Sequence, residues 1–142
     1  MTWLRALTGR LRPPVDKDDL GHRGEKAAAR FLRRRGYRII ARGYQSGVGE
    51  IDLVAEQGGT VVFVEVKTRH ADQPGSPVEA VDEEKQRRLS RAAVAFLKRY
   101  GLLEYPARFD VLAVTWHDDR QRPVIEHFPD AFDAAGEGGL YS

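Results

Sequence analysis

Cysteine is absent from the 142 residues, which excludes disulfide frameworks and thiolate zinc centres and suits a reducing, cytoplasmic setting. Histidine is sparse: His22, His70, His117 and His127 show no paired metal-ligand spacing. Long apolar runs are also missing. Met1 to Pro14 carries Arg5, Arg10 and Arg12 without a continuous hydrophobic stretch, so it reads as neither a secretory signal nor a membrane span, and a soluble protein is expected. Trp3, Trp116 and the tyrosines do not alternate regularly with basic residues, so the pattern argues no base-stacking readout of sequence. No internal repeat or low-complexity tract is present.

What remains is the material for one domain with a real core. The formal net charge of +2 conceals a polarity, because Lys and Arg dominate residues 1–42 while Asp and Glu dominate residues 102–142. Such an asymmetry suits an anionic polymer at one end of the molecule, although solvated surfaces show it too.

Residues 1–17 read as a basic flexible arm closed by Pro13-Pro14, residues 18–130 as a single domain and residues 131–142 as a flexible, glycine-containing tail. Asp18 or Asp19 can cap a helix that runs to about Arg35 and stops at Gly36. Tyr37 to Ala41 reads as a strand. A second helix begins near Asp82, repeats Leu89, Ala92, Ala93, Phe96 and Leu97 at helical spacing, and ends at Gly101. Phe109 to Trp116 and Val124 to Phe128 read as further strands. Strand 61–67, helix 82–100 and strand 109–116 form a βαβ unit, which requires its two strands to be parallel.

The most informative stretch lies between Gly49 and Arg69. Glu50 to Ala55 and Val61 to Lys67, rich in β-branched residues and joined through Gly58-Gly59, predict a hairpin. Regular alternation puts Glu50, Asp52 and Val54 on one face of the first arm and Ile51, Leu53 and Ala55 on the other. In the second arm Phe63, Glu65 and Lys67 oppose Val62, Val64 and Val66. Two carboxylates a strand apart repel, and a divalent cation between them removes that cost while recruiting water and phosphate oxygens. Glu50, on the Asp52 face, reads as an extra ligand or, in preference, as the strand's exposed first residue; Asp110, beside Arg108, could reach the site but reads in preference as a structural hydrogen-bond or ion-pair partner.

Helical wheels point to the same place. The first helix centres its apolar stripe on Leu20, Ala28 and Phe31, with Leu32 at the edge, and Glu25 falls about 20° from Leu32. In the second helix both Lys85 and Gln86 fall on the stripe, one turn before Leu89. Polar groups there need partners. Both helix N-termini facing the hairpin's charged cluster would provide them, with Glu25 and Gln86 joining Asp52, Glu65 and Lys67. The competing reading is that these residues simply occupy exposed first turns.

Gly24-Glu25, Gly49-Glu50-Ile51-Asp52-Leu53, Phe63-Val64-Glu65-Val66-Lys67-Thr68-Arg69, Lys85-Gln86 and Arg108-Phe109-Asp110-Val111 together resemble the YraN-like uncharacterised bacterial family, over nearly everything from Leu20 to Phe128. That family looks like a branch of the PD-(D/E)xK, restriction-endonuclease-like superfamily and is similar to the archaeal Holliday junction resolvases. The resemblance implies an α/β fold with a mixed central sheet flanked by helices, and a divalent-metal nuclease site. It puts the superfamily's acids on Asp52 and Glu65, its lysine on Lys67, its first-helix acid on Glu25 and the resolvases' helical polar position on Gln86. The proline that names the superfamily is replaced by Ile51.

The expected function is therefore hydrolysis of phosphodiester bonds in nucleic acid, with structured or branched DNA as the expected substrate. Mg or Mn would be held by Asp52, Glu65, the Val66 carbonyl and Glu25, while Lys67 and Gln86 orient water or phosphate. Arg69, with Arg5, Arg10 and Arg12 of the arm, would contact the phosphate backbone. The resolvase likeness allows a homodimer. The alternatives are a non-catalytic nucleic-acid-binding module on the same fold and a protein-interaction domain.

Overall fold

A computed structural model describes residues 20–77, 79–118 and 120–134. The chain runs α1 (Leu20–Arg34), β1 (Arg38–Ser46), β2 (Gly49–Gln57), β3 (Thr60–His70), α2 (Glu83–Arg99), β4 (Ala107–Trp116) and β5 (Val124–Phe132). The strands form one five-stranded sheet in the order β1-β2-β3-β4-β5. β3 and β4 are parallel, in register from Val61↔Ala107 to His70↔Trp116, and the other pairs are antiparallel. This mixed sheet with helices on both faces is consistent with a restriction-endonuclease-like arrangement.

Local sequence explains the element ends. Asp82 caps α2, its carboxylate accepting the Lys85 N–H at 2.9 Å. At the far end the Leu102 N–H donates to the Leu97 carbonyl at 2.7 Å and the Gly101 N–H to that of Lys98 at 3.3 Å, the double closure expected when glycine follows the last turn. α1 ends in the same way at Gly36, through Tyr37 to Leu32 and Gly36 to Arg33, both at 3.1 Å. Asp18 and Asp19, the expected caps of α1, lie outside the described residues, as does the basic arm.

Gly58 and Gly59 take φ of 56° and 85°, the pair of positive values that a two-residue hairpin turn needs to match the twist of its strands. The Glu56 carboxylate accepts the Gly59 N–H at 2.8 Å and steadies the turn.

Burial divides the core into two layers. Ala28, Ala29 and Leu32 of α1 pack with Leu53, Val62, Val64, Leu112 and Val114. Leu89, Ala93, Phe96 and Leu97 of α2 pack with Val54, Val61, Phe63, Phe109 and Val111. Alternate residues of β3 and β4 thus feed opposite layers, which is why these strands read as continuous apolar runs. β1 extends beyond Ala41 to Ser46. The expected tail start at Ala131 is corrected as well: β5 continues to Phe132, whose ring stacks on Phe109 at 4.8 Å, so both Ala131 and Phe132 belong to the folded domain. Residues 135–142 lie outside the described residues. Among those described, no helix is long and apolar enough to cross a membrane.

Candidate metal centre

The β2–β3 ladder ends at Leu53↔Val64. One step further along, where Asp52 would face Glu65, the Asp52 carboxylate accepts the Val66 N–H at 2.9 Å. The alternation expected along β2 fails here: Ile51 joins Val54 in the α2 layer, whereas Leu53 and Ala55 lie in the α1 layer. The strand changes face as it leaves its neighbour, and Asp52 sits at the fork between the two layers.

Glu65 projects from β3 on the α2 side and is only 4% exposed. Two lysines neutralise it: Lys85 Nζ lies 2.9 Å from Glu65 Oε2 and Lys67 Nζ 3.5 Å from it. Burial alone would lower the pKa of Lys85, but its hydrogen bond to Glu65 and the charges of Glu65 and Asp52 outweigh that and hold it above the ordinary lysine value. Burial pushes the Asp52 carboxyl well above the usual carboxylate range, and the Glu65 carboxylate, with which it shares a hydrogen bond, and Glu25 push in the same direction. The Val66 N–H opposes them without prevailing.

On the other side of the fork, Glu25 of α1, Glu50 and Asp52 each offer a carboxylate oxygen within 4.8 Å of the others. Glu50 is exposed as expected, yet its carboxylate belongs to this group. The signal was its shared face with Asp52. Close approach of backbones makes the meeting possible. A Cβ on Gly24 would fall 1.9 Å from Thr68 Oγ1, so this glycine lets α1 sit against β3 with Glu25 in place. Gly43 of β1 lies beside the acids as well, a Cβ there falling 3.7 Å from Glu50 Oε1 and 4.0 Å from Glu25 Oε1.

Of the expected site residues, the fold brings Glu25, Asp52, Glu65, Val66 and Lys67 together. Gln86 turns elsewhere: its amide donates to the Val81 carbonyl at 2.9 Å, and its neighbour Lys85 meets Glu65 instead. The wheel put both residues on the inward stripe, and the rotation of α2 selects the lysine. Arg69 braces the loop that follows β3, donating to the Gly75 carbonyl and, at 3.5 Å, to Thr115 Oγ1. Arg5, Arg10 and Arg12 lie outside the described residues.

Asp110 has a separate role. Fully buried, it accepts from Arg108 Nε at 3.0 Å and from the Asp130 N–H at 2.9 Å, and His127 Nε2 lies 2.7 Å from its other oxygen. Arg108 also reaches the Tyr37 hydroxyl at 2.8 Å. Burial would raise the Asp110 pKa, but its bonds to His127, Arg108 and the Asp130 N–H win and lower it. This network ties β4 to β5 where their register shifts, the structural role expected for Asp110.

As a donor set, the fork offers clustered carboxylates and, among the described residues, no sulfur or imidazole, which fits a hard divalent cation such as Mg or Mn better than zinc or copper. The model for Uncharacterised protein family UPF0102 matches residues 24–114. The chain belongs to that family. A UPF0102 protein of Rhodopirellula baltica is 49% identical over 125 residues, covering 86% of this chain and 75% of the relative. One of Geobacter sulfurreducens is 50% identical over 116 residues, 82% of this chain and 90% of the relative. One of Symbiobacterium thermophilum is 55% identical over 95 residues, 67% of this chain and 80% of the relative. The family is the one the sequence resembles, and its matched segment contains every residue of the fork.

Proposed function

We propose that the chain is a divalent-metal-dependent nuclease that hydrolyses phosphodiester bonds of nucleic acid, with structured or branched DNA as its substrate. The observation that carries this reading is the crowding at Asp52, a half-buried carboxyl with the buried Glu65 on one side and Glu25 and Glu50 on the other. Such a cluster is costly by itself and is stabilised by a cation. The likeness of the motifs to the PD-(D/E)xK superfamily and the archaeal resolvases supports the same conclusion.

Mg or Mn held by Asp52 and Glu65, with Glu25, Glu50 and the Val66 carbonyl as further oxygen donors, would neutralise phosphate charge and lower the pKa of an attacking water. The protein supplies the positioning. Lys85 fixes the Glu65 carboxylate, leaving Lys67, at the longer distance, to donate to a phosphate oxygen or orient water as negative charge develops. The Val66 N–H fixes the Asp52 carboxylate. The absence of cysteine supports a cytoplasmic setting, and a homodimer would suit paired cuts in a branched substrate.

The test is cleavage of branched and flapped DNA in Mg(II) or Mn(II), with Asp52→Ala and Glu65→Ala as controls. Cleavage by the wild type and loss in both variants is expected, and activity surviving both substitutions rules the mechanism out. A second reading, a nucleic-acid-binding module that does not cut, is favoured by the tight Lys85–Glu65 pair. Metal-independent binding without cleavage would select it.

A further inference from the structure

The second helix carries positive charge that the carboxylate fork does not use. Glu83 pairs with Arg87 across one turn at 3.9 Å. Arg88 and Arg91 are both exposed and make no ion pair among the described residues. At three-residue spacing Lys85, Arg88 and Arg91 form a ridge that turns about 60° per step, from the buried Glu65 toward solvent. Arg88 is close enough to Lys85 for their charges to interact. The Arg88 carbonyl lies 3.5 Å from where a Cβ on Gly49 would stand, so the ridge adjoins the strand start that carries Glu50.

We propose that Arg88 and Arg91 hold the sugar-phosphate backbone of a nucleic-acid duplex arm and lead it to the fork. This inference rests on the nuclease reading and names the surface that reading lacks, because Arg69 is committed to its loop. Side chains three apart on a helix leave it about 5–6 Å from one another, and planar guanidinium forks suit phosphate oxygens. The occupant is a polyanion because the ridge presents two cations, unpaired among the described residues, contiguous with the proposed site for phosphodiesters.

The experiment measures binding of the full chain to a labelled duplex and to a four-way junction with the same arms, in Ca(II), across roughly 50 to 200 mM salt. Arg88→Ala/Arg91→Ala is expected to weaken binding about tenfold or more and to flatten the slope of log affinity against log salt by about 2. Arg88→Lys/Arg91→Lys should keep most of the slope, and Arg33→Ala/Arg34→Ala on α1 should leave it unchanged. Thermal melts check that each variant is folded. If the alanine pair binds like the wild type while the wild type cuts in Mg(II) and Asp52→Ala does not, the ridge is refuted and the nuclease stands. A wild type that binds neither probe overturns both.

Discussion

Asp52, half-buried at the fork, and Asp110, fully buried, have opposite electrostatics, and each predicts a pH dependence. The folded-state pKa of Asp52 is raised, so the folded chain binds a proton more tightly than the unfolded one and stability falls as pH rises. The loss begins near the ordinary value of 3.8 and is complete above the raised one. Urea titrations of the metal-free protein across that range should show this decline, and Asp52→Asn should remove it while abolishing metal binding. For Asp110 the folded pKa is lowered; its contribution is present above the ordinary carboxylate value and is lost as pH falls through the lowered one. Asp110→Ala strands Arg108, His127 and the Asp130 N–H in a buried setting and should cost about 3–5 kcal/mol, read as a lower urea midpoint with an unchanged slope. Its metal affinity should stay at the wild-type value, since Asp110 is not among the acids of the fork.

At the scale of elements, the fork depends on how closely α1 rests on β3. Gly24→Ala puts a methyl where Thr68 Oγ1 already is and should destabilise by about 1–3 kcal/mol. It should also lower metal affinity, because the displaced helix carries Glu25. Adding Thr68→Ala removes the nearest obstructing atom and should recover part of both losses, a coupling that a double-mutant cycle measures. The elements themselves were legible: both helix stops, the Asp82 cap, the Gly58-Gly59 turn and the parallel β3–β4 pair follow from short-range hydrogen bonding and periodicity. What periodicity misread were β2 at Asp52, where the strand parts from its neighbour and switches layers, and the end of β5, where Phe132 finds a stacking partner on β4. Neither event is encoded in local alternation.

For the whole molecule, a cation that binds only the folded state raises stability by mass action. At about a hundred times its dissociation constant, Mn(II) should add about 2.7 kcal/mol, seen as a rise of several degrees in Tm. Asp52→Ala and Glu65→Ala should abolish that rise, and a wild type whose Tm ignores Mn(II) would count against the centre. The sequence by itself determined the order of the elements, the Gly58-Gly59 hairpin and the parallel pairing of β3 with β4, and it singled out Asp52, Glu65 and Lys67, because these follow from residue period, turn chemistry, connection length and charge. Only the tertiary structure decided that Lys85 and not Gln86 meets Glu65, that exposed Glu50 stands with Glu25, and that Arg69 braces a loop. The physical reason is that successive helix residues differ by about 100°, and which of them reaches a given carboxylate depends on how the helix is rotated and how far the strands have parted, both of which are settled by packing across the sheet.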